Sequence, residues 1–194
     1  MGTRNLICVV QGGEYRVAQY SQWDGYPSGQ GQGIVEFLLR PGTVKALKQA
    51  ALRVRHLTRE EVKARWDTAG LDESQFLSKY ARAGVMHLDR DCGAKILDYL
   101  IKATEPEVYM SLEFAGDSLF CEYAYVVDLD ADRLEIYRGF CKAPTTGERF
   151  SGFERFQDEH TRASGYAAVR FWKSFAFGDL SLLTMQQLED EAAE

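Results

Sequence analysis

The stretch NLICVVQGGEYRVAQY, residues 5–20, decides how the fold begins. Two β-prone runs flank Gly12-Gly13, and a Gly-Gly pair supplies the positive φ angles that a tight hairpin turn needs. We therefore expect the chain to open with an antiparallel β-hairpin.

Helical patterns fill the sequence that follows this hairpin. IVEFLL at 34–39 predicts a helix that Pro41-Gly42 ends, and residues 43–102 are expected to be a helical block. Thr58 with Glu61 matches a capping box, and Asp72 with Gln75 is a weaker match ahead of Tyr80. The last helix of the block is expected from about Asp91. The apolar stripes that predict these helices comprise Val44, Leu47, Ala51 and Val54, then Ile96, Leu97, Leu100 and Ile101.

Strand patterns return in the C-terminal third. Residues 118–130 and 133–140 alternate on either side of Ala131-Asp132, which predicts a second hairpin. Residues 167–177 alternate again, and TMQQLED predicts a short acidic helix. We expect one α+β domain over residues 1–194, with a mainly antiparallel sheet from the N-terminal hairpin and the C-terminal strands around a central helical block.

The composition limits the classes of partner. The 194 residues carry a net charge of −6, which argues against a protein that neutralises the phosphates of nucleic acid. Nine basic side chains lie between Arg40 and Arg65; a solvated helix face is the preferred interpretation, and docking of nucleic acid or an acidic partner is the alternative. No apolar run approaches the roughly 20 residues that span a bilayer, so we expect a soluble, cytoplasmic protein without membrane contact.

The cysteines predict neither a disulfide framework nor a metal site. They are scattered, without the close pairing that either would show, and we expect free thiols. His87, Asp89, Asp91 and Cys92 resemble a ligand cluster, but Asp89 or Asp91 is better explained as an N-cap. We predict no metal and no cofactor. The cysteines are Cys8, Cys92, Cys121 and Cys141.

The candidate site is AQYSQWDGYPSGQGQG, residues 18–33. Its glycines and Pro27 predict a tight backbone with exposed N–H groups, ahead of a helix N-terminus that favours an anion. Polar and aromatic side chains there suit a polar, ring-containing ligand. The alternative is that Trp23 and Tyr26 close the end of the core while the glycines only turn the chain. We predict that Arg4, Gln19, Gln22, Trp23, Asp24, Tyr26, Gly29 and Gly31 bind the ligand, with the Arg4 guanidinium, the Trp23 indole and the Asp24 carboxylate facing a common hollow.

The opening residues carry a family resemblance. T-R-N-L at 3–6 and A-Q-Y-S-Q-W-D-G-Y-P-S-G-Q-G at 18–31 resemble an uncharacterised family of short viral and bacterial proteins. More distantly, the opening is similar to N-terminal-nucleophile amide hydrolases of the choloylglycine hydrolase type, whose mature chains begin Cys-Thr-Arg and run into a strand and hairpin. Thr3 and Arg4 match the second and third of those positions, and Asp24 follows the hairpin. The resemblance implies an N-terminal-nucleophile-like fold.

The same resemblance shows a departure at the nucleophile. Such an enzyme needs an amine and an attacking side chain on its first residue, and removal of Met1 would leave Gly2, which has no side chain. We therefore expect a non-catalytic protein that binds, and by binding sequesters, a small polar, anionic or nucleotide-like metabolite, with Arg4 as the anion clamp. The alternative is an amide hydrolase that uses Thr3 after trimming, with Arg4 and Asp24 orienting the substrate. A homo-oligomer with a shared pocket and a subunit acting through a protein interface remain open.

Overall fold

The computed structural model describes residues 2–71 and 84–193, and it confirms the opening hairpin. Strand β1 (Asn5–Gln11) pairs antiparallel with β2 (Glu14–Ser21). Gly12 and Gly13 form the turn between them with φ of 67° and 71°. A residue with a Cβ rarely adopts these angles, which is why the Gly-Gly pair predicts the turn correctly.

Three C-terminal strands complete a five-stranded sheet: β5 (Tyr123–Asp128), β6 (Arg133–Arg138) and β7 (Arg170–Ala176). The order of the strands in the sheet is β2-β1-β5-β6-β7. The β1–β5 pair is parallel, and the other three pairs are antiparallel. The mainly antiparallel α+β fold expected from the sequence is therefore confirmed.

Four of the six helices in the described residues cover one face of this sheet. The six are α1 (Gln32–Leu39), α2 (Thr43–Ala51), α3 (Arg59–Thr68), α4 (Lys95–Lys102), α5 (Glu159–Ala163) and α6 (Thr184–Ala193). Side chains of α1, α2, α4 and α6 share one apolar cluster with every second residue of the strands. The Thr58 capping box at the start of α3 is present as expected.

The opposite face of the sheet is covered by irregular chain. The 3₁₀ turns Leu112–Gly116 and Phe153–Phe156 lie there, and Phe150 and Val169 are fully buried against the strands. Because both faces are covered, the LICVV run of β1 is apolar at every position instead of alternating.

The expected helical block contains a strand that the sequence analysis missed. Residues 55–57 form β3 (Arg55–Leu57), which pairs in parallel with β4 (Glu107–Tyr109), and Val54 lies outside α2. The helical interpretation of this part was wrong because a three-residue strand is too short to show an alternating pattern. Its partner lies some fifty residues away along the chain.

Several boundaries differ from those expected, including the last strand, which is Arg170–Ala176 rather than 167–177, and the end of the second hairpin, which is Arg138 rather than 140. The second hairpin begins at Tyr123 rather than 118, and residues 129–132 connect its strands where a two-residue turn was expected. Neither Asp89 nor Asp91 is the N-cap of α4: Ala94 occupies that place, and the Asp89 carboxylate accepts from the backbone N–H of Asp91 at 2.8 Å. The expected helix around Asp72, Gln75 and Tyr80 lies outside the described residues.

None of the helices in the described chain has the length and apolar character that crossing a bilayer requires.

Candidate functional site

Strand alternation places Arg4 and Gln22 on one face of the opening hairpin. In the β1–β2 register Leu6 pairs with Tyr20 and Asn5 with Ser21, so the positions directly before and after these strands lie side by side. Leu6 is buried in the core cluster on the face away from the helices. Arg4 lies two residues before Leu6, Tyr20 pairs with Leu6, and Gln22 lies two residues after Tyr20. Because side chains alternate between the faces of a sheet, these three lie on the same face as Leu6, at its end.

These three side chains line a hollow with Phe114 and Phe120, which we call the Arg4 hollow; its volume is about 360 Å³. The Arg4 guanidinium lies over the Phe120 ring, 4.8 Å from the centroid. The Tyr20 ring meets Phe114 edge to face at a centroid separation of 4.9 Å. The Tyr20 hydroxyl donates to Gln22 Oε1 at 2.5 Å, so the amide is held in place at the rim.

Arg4 is the one charged side chain among the described residues that line the Arg4 hollow. Burial raises the pKa of the Tyr20 hydroxyl, while the nearby charges of Arg4 and Arg90 act in the opposite direction. In the described part of the chain the Arg4 guanidinium forms no ion pair, and none of the residues that line the hollow is acidic. A guanidinium without a counter-ion, backed by an aromatic ring, suits an anion.

A second cavity of about 300 Å³ adjoins the first and shares Tyr20 and Phe114 with it. We call it the acidic hollow. Three carboxylates and a third aromatic ring, Phe156, stand in its wall. Its lining residues are Tyr20, Ser111, Glu113, Phe114, Asp117, Phe156, Gln157, Asp158 and Thr161.

The carboxylates of the acidic hollow differ in their surroundings. Burial, together with the charge of Asp158, raises the pKa of Asp117. The Asp158 carboxylate accepts from the backbone N–H of Thr161 at 2.7 Å as the N-cap of α5, which lowers its pKa. Glu113 is exposed.

Glycine at position 25 lets the candidate loop close tightly onto the start of β1. The Gly25 N–H donates to the Thr3 carbonyl at 2.9 Å, and its own carbonyl accepts from the Tyr125 hydroxyl at 2.8 Å. A Cβ at position 25 would lie 2.7 Å from the Thr3 carbonyl oxygen and 2.8 Å from Asn5 Cβ. The loop is therefore fixed by the central strands rather than free to wrap around a ligand.

Several backbone N–H groups of this loop donate to acceptors within the protein. Ser28 N–H donates to the Glu189 carboxylate of α6 at 2.9 Å, and Gln30 N–H donates to the Asp24 carbonyl at 2.7 Å. Gly29 N–H donates to the Tyr26 carbonyl at 3.0 Å. A carboxylate of α6 thus lies at the turn Pro27–Gly31 that leads into α1, where the sequence predicts an external anion.

Gln30 couples this loop to α4. Its Oε1 accepts from the backbone N–H of Ala94, the N-cap of α4, at 2.7 Å, and its Nε2 donates to the Trp23 carbonyl at 3.2 Å. The amide thus satisfies the N–H of the N-cap residue, and the side-chain N-cap expected from an aspartate is not formed.

The remaining expected ligand residues lie outside the Arg4 hollow. Gln19 is 6 % exposed, and its amide donates to the carbonyls of Tyr20 and Asp89. Trp23 packs against Gly2 with 43 % of its surface exposed. The Tyr26 hydroxyl donates to the exposed Asp24 carboxylate at 3.3 Å.

Gly29 and Gly31 are close-packing positions. A Cβ on Gly29 would overlap the Asp24 carbonyl oxygen, and a Cβ on Gly31 would lie 2.9 Å from Met185 Sδ and 3.0 Å from the Tyr125 ring. The structure therefore brings Arg4 and Gln22 together and leaves the other six expected residues apart from them.

The aromatic walls of both hollows were not predicted from the sequence. Tyr20 lies within the quoted stretch, and its spacing of two from Gln22 was the signal that both share a face of β2. Phe114, Phe120 and Phe156 come from the segments that cover the sheet, and no local pattern connects them to Arg4.

The basic stretch between Arg40 and Arg65 forms several ion pairs within the protein. Arg55 and Arg65 both bind Glu107, and Arg40 binds Asp98 at 2.8 Å. Its charge is thus partly neutralised by the chain itself.

The described titratable side chains form no cluster typical of a metal centre. Across residues 2–71 and 84–193, no group of three His, Cys, Asp or Glu side chains has the arrangement that could hold a metal ion. All four cysteines are unpaired, and burial raises the pKa of the Cys8, Cys92 and Cys121 thiols.

Comparison of the chain with protein-family models, with curated proteins and with solved structures found no match. The resemblance of the opening residues stays a prediction, and the chemistry of the two hollows has to be inferred from their own residues.

Proposed function

We propose that the protein binds a small polar metabolite carrying an anionic group and a flat ring, and that the Arg4 hollow receives it. The observation that supports this most is the Arg4 guanidinium, which lies over Phe120 and lines a hollow in which none of the described lining residues is acidic. A carboxylate or phosphate would accept from the guanidinium, and Gln22 would add an amide at the rim.

The aromatic side chains of the Arg4 hollow are the reason for proposing a ring in the ligand. Tyr20, Phe114 and Phe120 supply three rings to a single small cavity. Offset or edge-to-face contacts with a planar ligand would add to the guanidinium contact. Nucleotide-like metabolites combine the two features, and binding without reaction would serve to sequester them.

Phenyl phosphate is a direct probe of this proposal because it contains only a ring and an anionic group. We expect titration calorimetry to show binding to the wild-type protein and a loss of about tenfold or more in affinity in Arg4→Ala, as removal of a charge-assisted contact predicts. Arg138→Ala is the matched control, since Arg138 lies over Trp172 at 4.5 Å, outside the hollow. Equal binding by the Arg4 and Arg138 variants, or no binding by the wild type, would overturn the proposal.

A further inference from the structure

The acidic hollow has a composition that favours a cation. Glu113, Asp117 and Asp158 stand in its wall, and no Lys, Arg or His is among its described lining residues. None of the three carboxylates forms an ion pair with any residue in 2–71 or 84–193. Asp158 caps α5 and the Asp117 carboxylate accepts from the Thr161 hydroxyl at 3.3 Å, but among the described residues no cation pairs with the three carboxylates. Carboxylates without a cationic partner in a concave site raise the local concentration of cations.

Aromatic rings in the same cavity favour an organic cation over a metal ion. Tyr20, Phe114 and Phe156 line the hollow, and a ring face attracts an ammonium group. Phe156 already shows this behaviour: the Arg155 guanidinium lies 4.5 Å from its ring centroid. Arg155 itself donates to the Gly152 carbonyl at 3.1 Å and makes no ion pair with the carboxylates described above.

The two hollows adjoin. They share Tyr20 and Phe114, whose rings are in direct edge-to-face contact. The Arg4 guanidinium lines one hollow and the three carboxylates line the other, so opposite protein charges stand in hollows that meet at this aromatic pair.

We infer that the ligand is dipolar: its anionic group meets Arg4, its ring lies along the Tyr20–Phe114 pair, and an ammonium group enters the acidic hollow. This inference rests on the proposed function and narrows its ligand class to amine-bearing carboxylates or phosphates. The shape is that of a small zwitterion with opposite charges on either side of a ring.

Three probes separate the two hollows: tyramine O-phosphate has a ring, a phosphate and an amine, phenyl phosphate lacks the amine, and tyramine lacks the phosphate. We expect the wild-type protein to bind tyramine O-phosphate about tenfold more tightly than phenyl phosphate, as one cation contact with carboxylates and rings predicts. The double variant Glu113→Gln/Asp117→Asn keeps the shape of both side chains and removes their charges. In this variant we expect tyramine O-phosphate to bind no more than about threefold more tightly than phenyl phosphate. The affinity for phenyl phosphate itself should stay unchanged. Asp158 is left intact because it caps α5.

Glu105→Gln is the matched control, since Glu105 is exposed and lies outside both hollows. Equal affinity for tyramine O-phosphate and phenyl phosphate would overturn the dipolar inference and leave the proposed function standing. Binding of tyramine alone, with no binding of phenyl phosphate, would overturn the proposed function and with it the dipolar ligand. If the double variant still binds tyramine O-phosphate about tenfold more tightly than phenyl phosphate, the ammonium group lies outside the acidic hollow and the inference is contradicted.

Discussion

Gly25 shows at the scale of one residue how the candidate loop is held against the sheet. Alanine there would place its Cβ within 2.8 Å of two groups at the start of β1, one of them a backbone carbonyl that cannot easily move. We expect Gly25→Ala to lower the free energy of unfolding by about 1–3 kcal/mol, the usual range for an overpacked site. Urea unfolding followed by circular dichroism measures it.

Gly178→Ala is the control for this prediction. Gly178 has no heavy atom within 4 Å of a built Cβ and lies outside the left-handed region, so the substitution should change the unfolding free energy by less than about 0.5 kcal/mol. If both variants unfold at the same urea concentration, the contact between Gly25 and Thr3 does not constrain the loop.

Single residues also show how far the site could be predicted. Arg4 and Gln22 flank paired strands that the Gly-Gly turn brings together, so local sequence was enough to join them. Trp23 and Asp24 have equally suitable chemistry, but residue type alone does not specify the direction of a loop side chain. Glu189, which occupies the turn before α1, lies 161 residues beyond Ser28, and no local pattern could anticipate it.

At the scale of elements, the unpredicted features are those that join distant segments. The parallel β1–β5 pair brings together residues more than a hundred positions apart, and β3–β4 joins strands of three residues each. Hairpins and long amphipathic helices were predicted because their signals lie within one segment. Short parallel strands carry no such signal.

Glu107 is the electrostatic link between β3, β4 and α3. Arg65 donates to its carboxylate at 2.9 and 3.0 Å, and Arg55 also binds it. These contacts lower the pKa of Glu107 from 4.5 to about 2. Because the folded-state pKa lies below the unfolded one, the contribution to stability is full above about pH 4.5 and is lost as the pH falls toward 2.

We therefore expect Glu107→Gln to lose less stability than the wild type when the pH is lowered from about 7 to about 3. Urea unfolding at both pH values gives the comparison. Glu105→Gln, two residues away and exposed, should retain the wild-type pH dependence. Identical slopes for the Glu107 variant and the wild type would show that the ion pairs with Arg55 and Arg65 add nothing to folding.

At the scale of the whole molecule, Arg149 fastens the long β6–β7 connection to the sheet. Its guanidinium binds Glu135 on β6 through two hydrogen bonds of 2.7 Å and Asp128 at the end of β5 at 2.6 Å. The Tyr137 hydroxyl donates to the same Glu135 carboxylate at 2.7 Å, and burial raises the pKa of Tyr137. This connection also carries Phe156 and Asp158, so the acidic hollow depends on its docking.

Removal of Arg149 would leave two largely buried carboxylates without their cation, since the side chains of Asp128 and Glu135 are only 11 % and 16 % exposed. We expect Arg149→Ala to reduce the unfolding free energy by about 3 kcal/mol, the cost of breaking a buried pair by removing one partner. Arg40→Ala breaks an ion pair with Asp98 whose side chains are 48 % and 34 % exposed, and it should cost less than about 1 kcal/mol. Urea unfolding of the two variants tests the difference. Similar midpoints would mean that the hydrogen bonds of Arg149 do not hold the β6–β7 connection against the sheet. The packing of the connection would then rest on Phe150 and its apolar neighbours alone.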